Sequence, residues 1–163
     1  MKTFRLLTII VLLNSFVGFS STAAVLTSDS APNRKEQAAV EKVLSNYLEC
    51  RRKGDYKCCS ESLTSDYLKR FSIANKMPYA DFYKSTETHY HEARLIRLNK
   101  ISDSLIAVTV ESYSEEPGVL SRDIESYSLK GVGGSWQIED IATNESKIVK
   151  EIGSDGKWKD VSK

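Results

Sequence analysis

Apolar residues recur along the chain at two periods, and the switch between them divides it into a helical first half and a stranded second half. From Arg34 to Arg52 they stand at Ala39, Val40, Val43, Leu44, Tyr47 and Leu48, with Arg51 continuing the same stripe. That is the three-and-four spacing of an amphipathic helix. Lys53, Gly54 and Asp55 end it, because glycine suits the left-handed position after a helix and aspartate caps the next one. Tyr56, Cys59, Leu63, Tyr67 and Phe71 keep near-helical spacing with a break near 63–65, which predicts a second helix folded back on the first. Pro78 opens a third, with Tyr79, Phe82, Tyr83, Thr86 and Tyr90 along one side.

From about His91 the period becomes two. Strands are predicted over 91–101, 105–114 and 119–130, separated by a turn at Asp103 and another at Glu115, Glu116, Pro117 and Gly118. Tyr127 and Leu129 alternate with polar neighbours, Gly131, Gly133 and Gly134 interrupt them, and Trp136, Ile138 and Asp140 alternate again, which is a β-hairpin. After Ile141 the chain is charged, and 142–163 reads as an extension, either a small hairpin around Ser154, Asp155 and Gly156 or a tail. Three helices followed by an antiparallel meander predict an α+β fold, a cone-shaped roll in which the helices pack on a curved sheet of at least four strands.

The first residues change the setting of this domain. Lys2 and Arg5, the apolar run Leu6 to Phe19, and small residues with Ser21 and Ala23 at the −3 and −1 positions form a secretory signal peptide, 1–23. Cleavage after Ala23 leaves a leader, 24–33, and a domain, 34–141, ahead of the extension. The expected product is exported, periplasmic or secreted, with no membrane association after cleavage. Loss of Lys2 and Arg5 leaves 21 Lys and Arg against 22 Asp and Glu, a net charge of −1, which speaks against nucleic acid as a partner.

Export gives Cys50, Cys58 and Cys59 an oxidising environment. Cys50 and Cys59 lie nearly symmetrically about Gly54 on the apolar stripes of their helices, so they are the expected disulfide. Cys58 is then left over, free or joined to another chain. No C-x-x-C spacing points to redox catalysis.

Two stretches carry a family resemblance: LSNYLECRRKGDY, Leu44 to Tyr56, and YSLKGVGGSWQIEDI, Tyr127 to Ile141. Over roughly 36–141 the chain resembles the nuclear transport factor 2-like superfamily, which includes ketosteroid isomerase, scytalone dehydratase and SnoaL-like cyclases. The resemblance implies the cone-shaped roll. It also implies one catalytic position: the isomerase's oxyanion-hole tyrosine lies seven residues before the glycine of the Gly-Asp turn, and Tyr47 has that spacing to Gly54. The isomerase's two aspartates have no match, since 63–78 holds only Asp66.

Other candidates come from residue type. His89 and His91 stand two apart, on one face if extended, and with Glu111 could do acid and base work or hold a metal. No third ligand is fixed by spacing, so no metal and no cofactor are expected. Tyr47, Tyr67, Tyr83, Tyr113, Tyr127 and Trp136 are the candidate lining of a ligand pocket in the cone. Arg94, Arg97 and Arg122 read as a solvated sheet face. The favoured function is therefore an exported non-catalytic domain that binds a small apolar ligand or a protein partner. The alternative is a small lyase or isomerase using Tyr47 with His89 or His91. A homodimer through the sheet face or Cys58 is a further expectation.

Overall fold

A computed structural model describes residues 31–161. The expected signal peptide and all but the last three residues of the expected leader lie outside them. Four helices, α1 (Arg34–Arg52), α2 (Tyr56–Glu61), α3 (Ser65–Asn75) and α4 (Tyr79–Ser85), precede five strands, β1 (His89–Ser102), β2 (Leu105–Glu116), β3 (Val119–Val132), β4 (Ser135–Ile152) and β5 (Trp158–Asp160). The strands form one antiparallel sheet in the order β1-β2-β3-β4-β5, and the helices pack on one face of it.

Local chemistry starts and stops the helices. The Asn33 side chain accepts from the Lys35 and Glu36 amides while Glu36 returns a bond to the Asn33 amide, a reciprocal cap of α1. Gly54 ends the turn after α1 at φ +69, and Asp55 caps α2 through the Cys58 amide. A Cβ on Gly54 would meet nothing within 4 Å, so Gly54→Ala should cost only the left-handed backbone strain, about 1 to 2 kcal/mol, read as a lower urea midpoint at unchanged slope.

The helix count departs from the expected three. Residues 62–64 leave the helical path because β4 recruits them: the Thr64 amide donates to the Ile138 carbonyl and the Ile138 amide to the Ser62 carbonyl. This parallel bridge divides the expected second helix into α2 and α3. The last helix stops at Ser85, and Glu87, at φ 53, turns the chain into β1.

The Gly133–Gly134 pair, both at positive φ, joins β3 to β4 with Val132 facing Ser135. Positive φ at both central residues matches the turn to the right-handed twist of the strands. β4 runs through Ile141 without interruption, and its far end pairs with β5 through Ile152 and Trp158.

The core lies where α1 crosses the sheet. Val40, Leu44 and Tyr47 of α1 meet Ile106, Val108 and Val110 of β2, Tyr127 and Leu129 of β3 and Ile138 of β4. Each such side chain contributes roughly 1.5 to 3 kcal/mol on burial. β1 is an edge strand of 14 residues whose pairing with β2 shifts register three times, and Leu95 and Ile96 lie exposed between Arg94 and Arg97.

The disulfide corrects the sequence expectation. Cys50 pairs with Cys58, with Cα atoms 5.7 Å apart, and Cys59 is the free, buried thiol. Counting symmetrically about Gly54 assumed two antiparallel helices. Instead α2 leaves the turn so that Cys58 meets Cys50, while Cys59 points into the core with its Sγ toward the Tyr47 carbonyl. Cys58 is thus not available to join two chains.

Candidate functional site

Inside the cone, the sequence candidates form one aromatic cluster with residues that spacing alone did not single out. Tyr47 is 1% exposed, and its hydroxyl lies 2.7 Å from that of Tyr79. The Tyr127 ring meets Tyr47 edge-on at 5.8 Å, and Tyr67 and Tyr83 join through Tyr79 and Phe71. Burial pushes the Tyr47, Tyr79 and Tyr127 hydroxyls well up and that of Tyr67 to about 12, so all stay protonated at neutral pH.

The centre of the cone is an ion pair. Arg51 donates from Nη1 and Nη2 to the two carboxylate oxygens of Glu125, both at 2.8 Å, and from Nη1 to the Tyr127 hydroxyl. The Ser112 and Tyr127 hydroxyls also donate to Glu125, and the guanidinium carbon lies 3.6 Å from the centre of the Tyr90 ring. Burial acting alone would raise the Glu125 carboxyl, but the Arg51 charge and these hydrogen bonds outweigh it and hold it below the usual carboxylate range. Arg51 had a signal in the sequence: a guanidinium on an apolar helical stripe needs a buried partner. Glu125 sits in the run Asp123, Glu125, Tyr127, Leu129, every second residue of β3, all facing the helices.

Little open space remains around this pair. A cavity of about 210 Å³ lies beside Arg51, bounded by Tyr56, Tyr83 and Tyr90, with Arg52, Lys84 and His89 at its rim. This is less than the roughly 300 Å³ at which small-molecule pockets begin.

Four candidates lie elsewhere. Trp136 faces a groove of about 630 Å³ between the β3–β4 turn and the first half of α1. Ser112 and Ser114 bond Glu125 and Asp123 inside the cone, so Tyr113 and Glu115, between and beyond them on β2, face outward. His91 follows them, with its Nε2 3.0 Å from the Glu115 carboxylate. His89, opposite Glu115 in register, is exposed at the same end of β1. Tyr47 and His91 therefore lie on opposite sides of the sheet, and no proton can pass between them directly.

Glu111, proposed to join the histidines, is held by Arg94 at 2.6 Å and by Arg122. Those two hydrogen bonds lower its carboxyl pKa, Arg122 contributing more. Nearby, Tyr113, Leu120 and Trp158 line an open groove of about 520 Å³ on the outer face, together with Glu92, Lys150 and the His91–Glu115 pair.

No family model matches the chain, and no curated protein matches it by sequence. Among solved structures it is similar to a ketosteroid isomerase-like protein from Erwinia carotovora atroseptica, with a TM-score of 0.55 at 18% identity over 68% of this chain and 95% of that one. It is also similar to an NTF2-like protein of unknown function from Shewanella baltica, at 0.50 and 18% over 71% and 99% of the two chains. A domain of unknown function with a cystatin-like fold from Nostoc punctiforme gives 0.54 and 14%, over 69% and 78%. Helices seated on a curled antiparallel meander, shared with these proteins, give this chain the nuclear transport factor 2-like fold.

Proposed function

We infer that the protein is an exported, non-catalytic binding domain that takes a small molecule or a partner protein on its surface, the cone interior serving as its structural centre. The observation that supports this is the closure of the interior polar groups on one another: Arg51 on Glu125 and Tyr127, and Tyr47 on Tyr79. A buried hydroxyl already engaged at 2.7 Å, with neither histidine bonded to it, is poorly placed to stabilise an oxyanion. The large grooves open instead outside the cone. The signal peptide read at 1–23, the disulfide, and the lack of a membrane-crossing helix among the described residues fit an exported product, periplasmic or secreted.

Native mass spectrometry of the mature chain from an exporting host, with and without reductant, tests this reading. A retained molecule or partner, kept equally by Tyr47→Phe, is the expected result. Tyr47→Phe should cost about 1 kcal/mol in urea unfolding, from the lost Tyr79 hydrogen bond, and nothing in binding. A bound small molecule released specifically by Tyr47→Phe at intact fold would return the site to the cone.

A further inference from the structure

The outer groove has a lining that narrows the class of ligand. Its apolar part comes from three strands: Tyr113 of β2, Leu120 of β3 and Trp158 of β5. Pairing puts them on one face, since Glu115 lies opposite Leu120, Leu120 opposite Lys150, and Lys150 opposite Asp160, two residues beyond Trp158. Trp158 is 42% exposed, yet its backbone is fixed by pairing with Ile152 and by the bond from the Val161 amide to the Val149 carbonyl. A large ring held open to water by its own short strand is a surface prepared for contact.

The polar part is mixed in kind, with two carboxylates, Glu92 and Glu115, one amine, Lys150, and the His91 ring. The Glu92 side chain makes no hydrogen bond or ion pair among the described residues. Glu115 is shared with His91, and the Lys150 amine lies 3.8 Å from Asp160. An anion would meet two carboxylates, and an organic cation would meet Lys150 beside the aromatic rings. An acyl chain would strip water from the carboxylates and the amine without replacing their hydrogen bonds. A polyhydroxylated ring would avoid all three penalties: its C–H face could pack on the Tyr113 and Trp158 rings while its hydroxyls bond Glu92, Glu115 and Lys150.

We propose that this groove binds a neutral sugar ring, either free or within a glycan. The proposal rests on the reading of the protein as a surface-binding domain. The test is an NMR titration of the ¹⁵N-labelled mature chain, following its two indole signals, with that of Trp158 assigned by Trp158→Phe. The probes are glucose, galactose, N-acetylglucosamine, maltose and cellobiose, with choline and octanoate as charged and apolar comparisons. The expected result is a saturable shift of the Trp158 indole by at least one sugar, with a dissociation constant on the order of millimolar, while Trp136 stays fixed. Tyr113→Ala and Glu92→Gln should each weaken that binding roughly tenfold at unchanged circular dichroism. Tighter binding of a disaccharide than of its monosaccharide identifies a glycan, and equal binding identifies a free sugar.

No Trp158 shift from any sugar at about 100 mM overturns the proposal, as does a shift undiminished in Tyr113→Ala, or one caused by choline or octanoate alone. If the sugars fail while native spectra still show a retained molecule or partner, the sugar assignment falls and the binding-domain reading stands.

Discussion

Arg51→Met should destabilise the fold by about 3 to 5 kcal/mol, because it leaves the Glu125 carboxylate buried with only the Ser112 and Tyr127 hydroxyls for company. Urea unfolding should show this as a large drop in midpoint. The double variant Arg51→Met with Glu125→Leu removes both charges at similar volume and should recover most of the loss, since the attraction within a buried pair barely offsets its desolvation. The dependence on pH distinguishes the charge from simple packing. In the native protein the Glu125 carboxyl is held below its unfolded value, so its contribution is complete above about pH 4.3 and disappears as pH falls through the lowered folded pKa. In Arg51→Met burial is opposed only by the Ser112 and Tyr127 hydrogen bonds, and the carboxyl should rise above the unfolded value. Its penalty is then absent in acid and grows as pH climbs past about 4.3. Midpoints at about pH 4 and pH 7 should therefore change order between the two proteins. A variant that loses stability equally at both would mean that Arg51 acts by packing alone.

Cys58→Ala should cost about 2.5 kcal/mol, the chain-entropy value for a loop closed over a sequence separation of 8. Cys59→Ala should cost less, because it removes a small buried group and leaves the loop closed. Thiol titration reads the pairing directly. The native protein should show no reactive thiol, since burial pushes the Cys59 thiol up to about 12, and one thiol after denaturation. In denaturant Cys59→Ala should show none and Cys58→Ala two. The reverse pattern would restore the Cys50–Cys59 pairing expected from the sequence.

That expectation marks where the sequence stops being informative. Positions that depend on a residue and its near neighbours were legible. The apolar stripe of α1, its stop at Gly54 and the Gly133–Gly134 turn all follow from backbone preference and period. Positions set by a distant part of the chain were not. The break near 63–65 showed in the spacing, but its cause did not, since it lies in the Ile138 backbone, 74 residues beyond Thr64; and the direction in which α2 leaves Gly54 decides which of two adjacent cysteines meets Cys50. The site suffered most from this limit. Period two told that Tyr113 and Tyr127 belong to strands, but not that one faces out and the other in, because the relative phase of β2 and β3 comes from their register. Arg51 was in plain view on an apolar stripe, and reading it as a charge in search of a partner would have led to Glu125.

The long open edge of β1 bears on how this protein behaves at high concentration. A 14-residue edge with Leu95 and Ile96 uncovered could template the addition of further copies, strand upon strand, toward fibrils. Its three register shifts bend that edge out of the flat line such stacking needs, and Arg94 and Arg97 set like charges against each incoming copy. The irregularity of β1, which costs pairing within the molecule, thereby works against edge-to-edge stacking when molecules are crowded together.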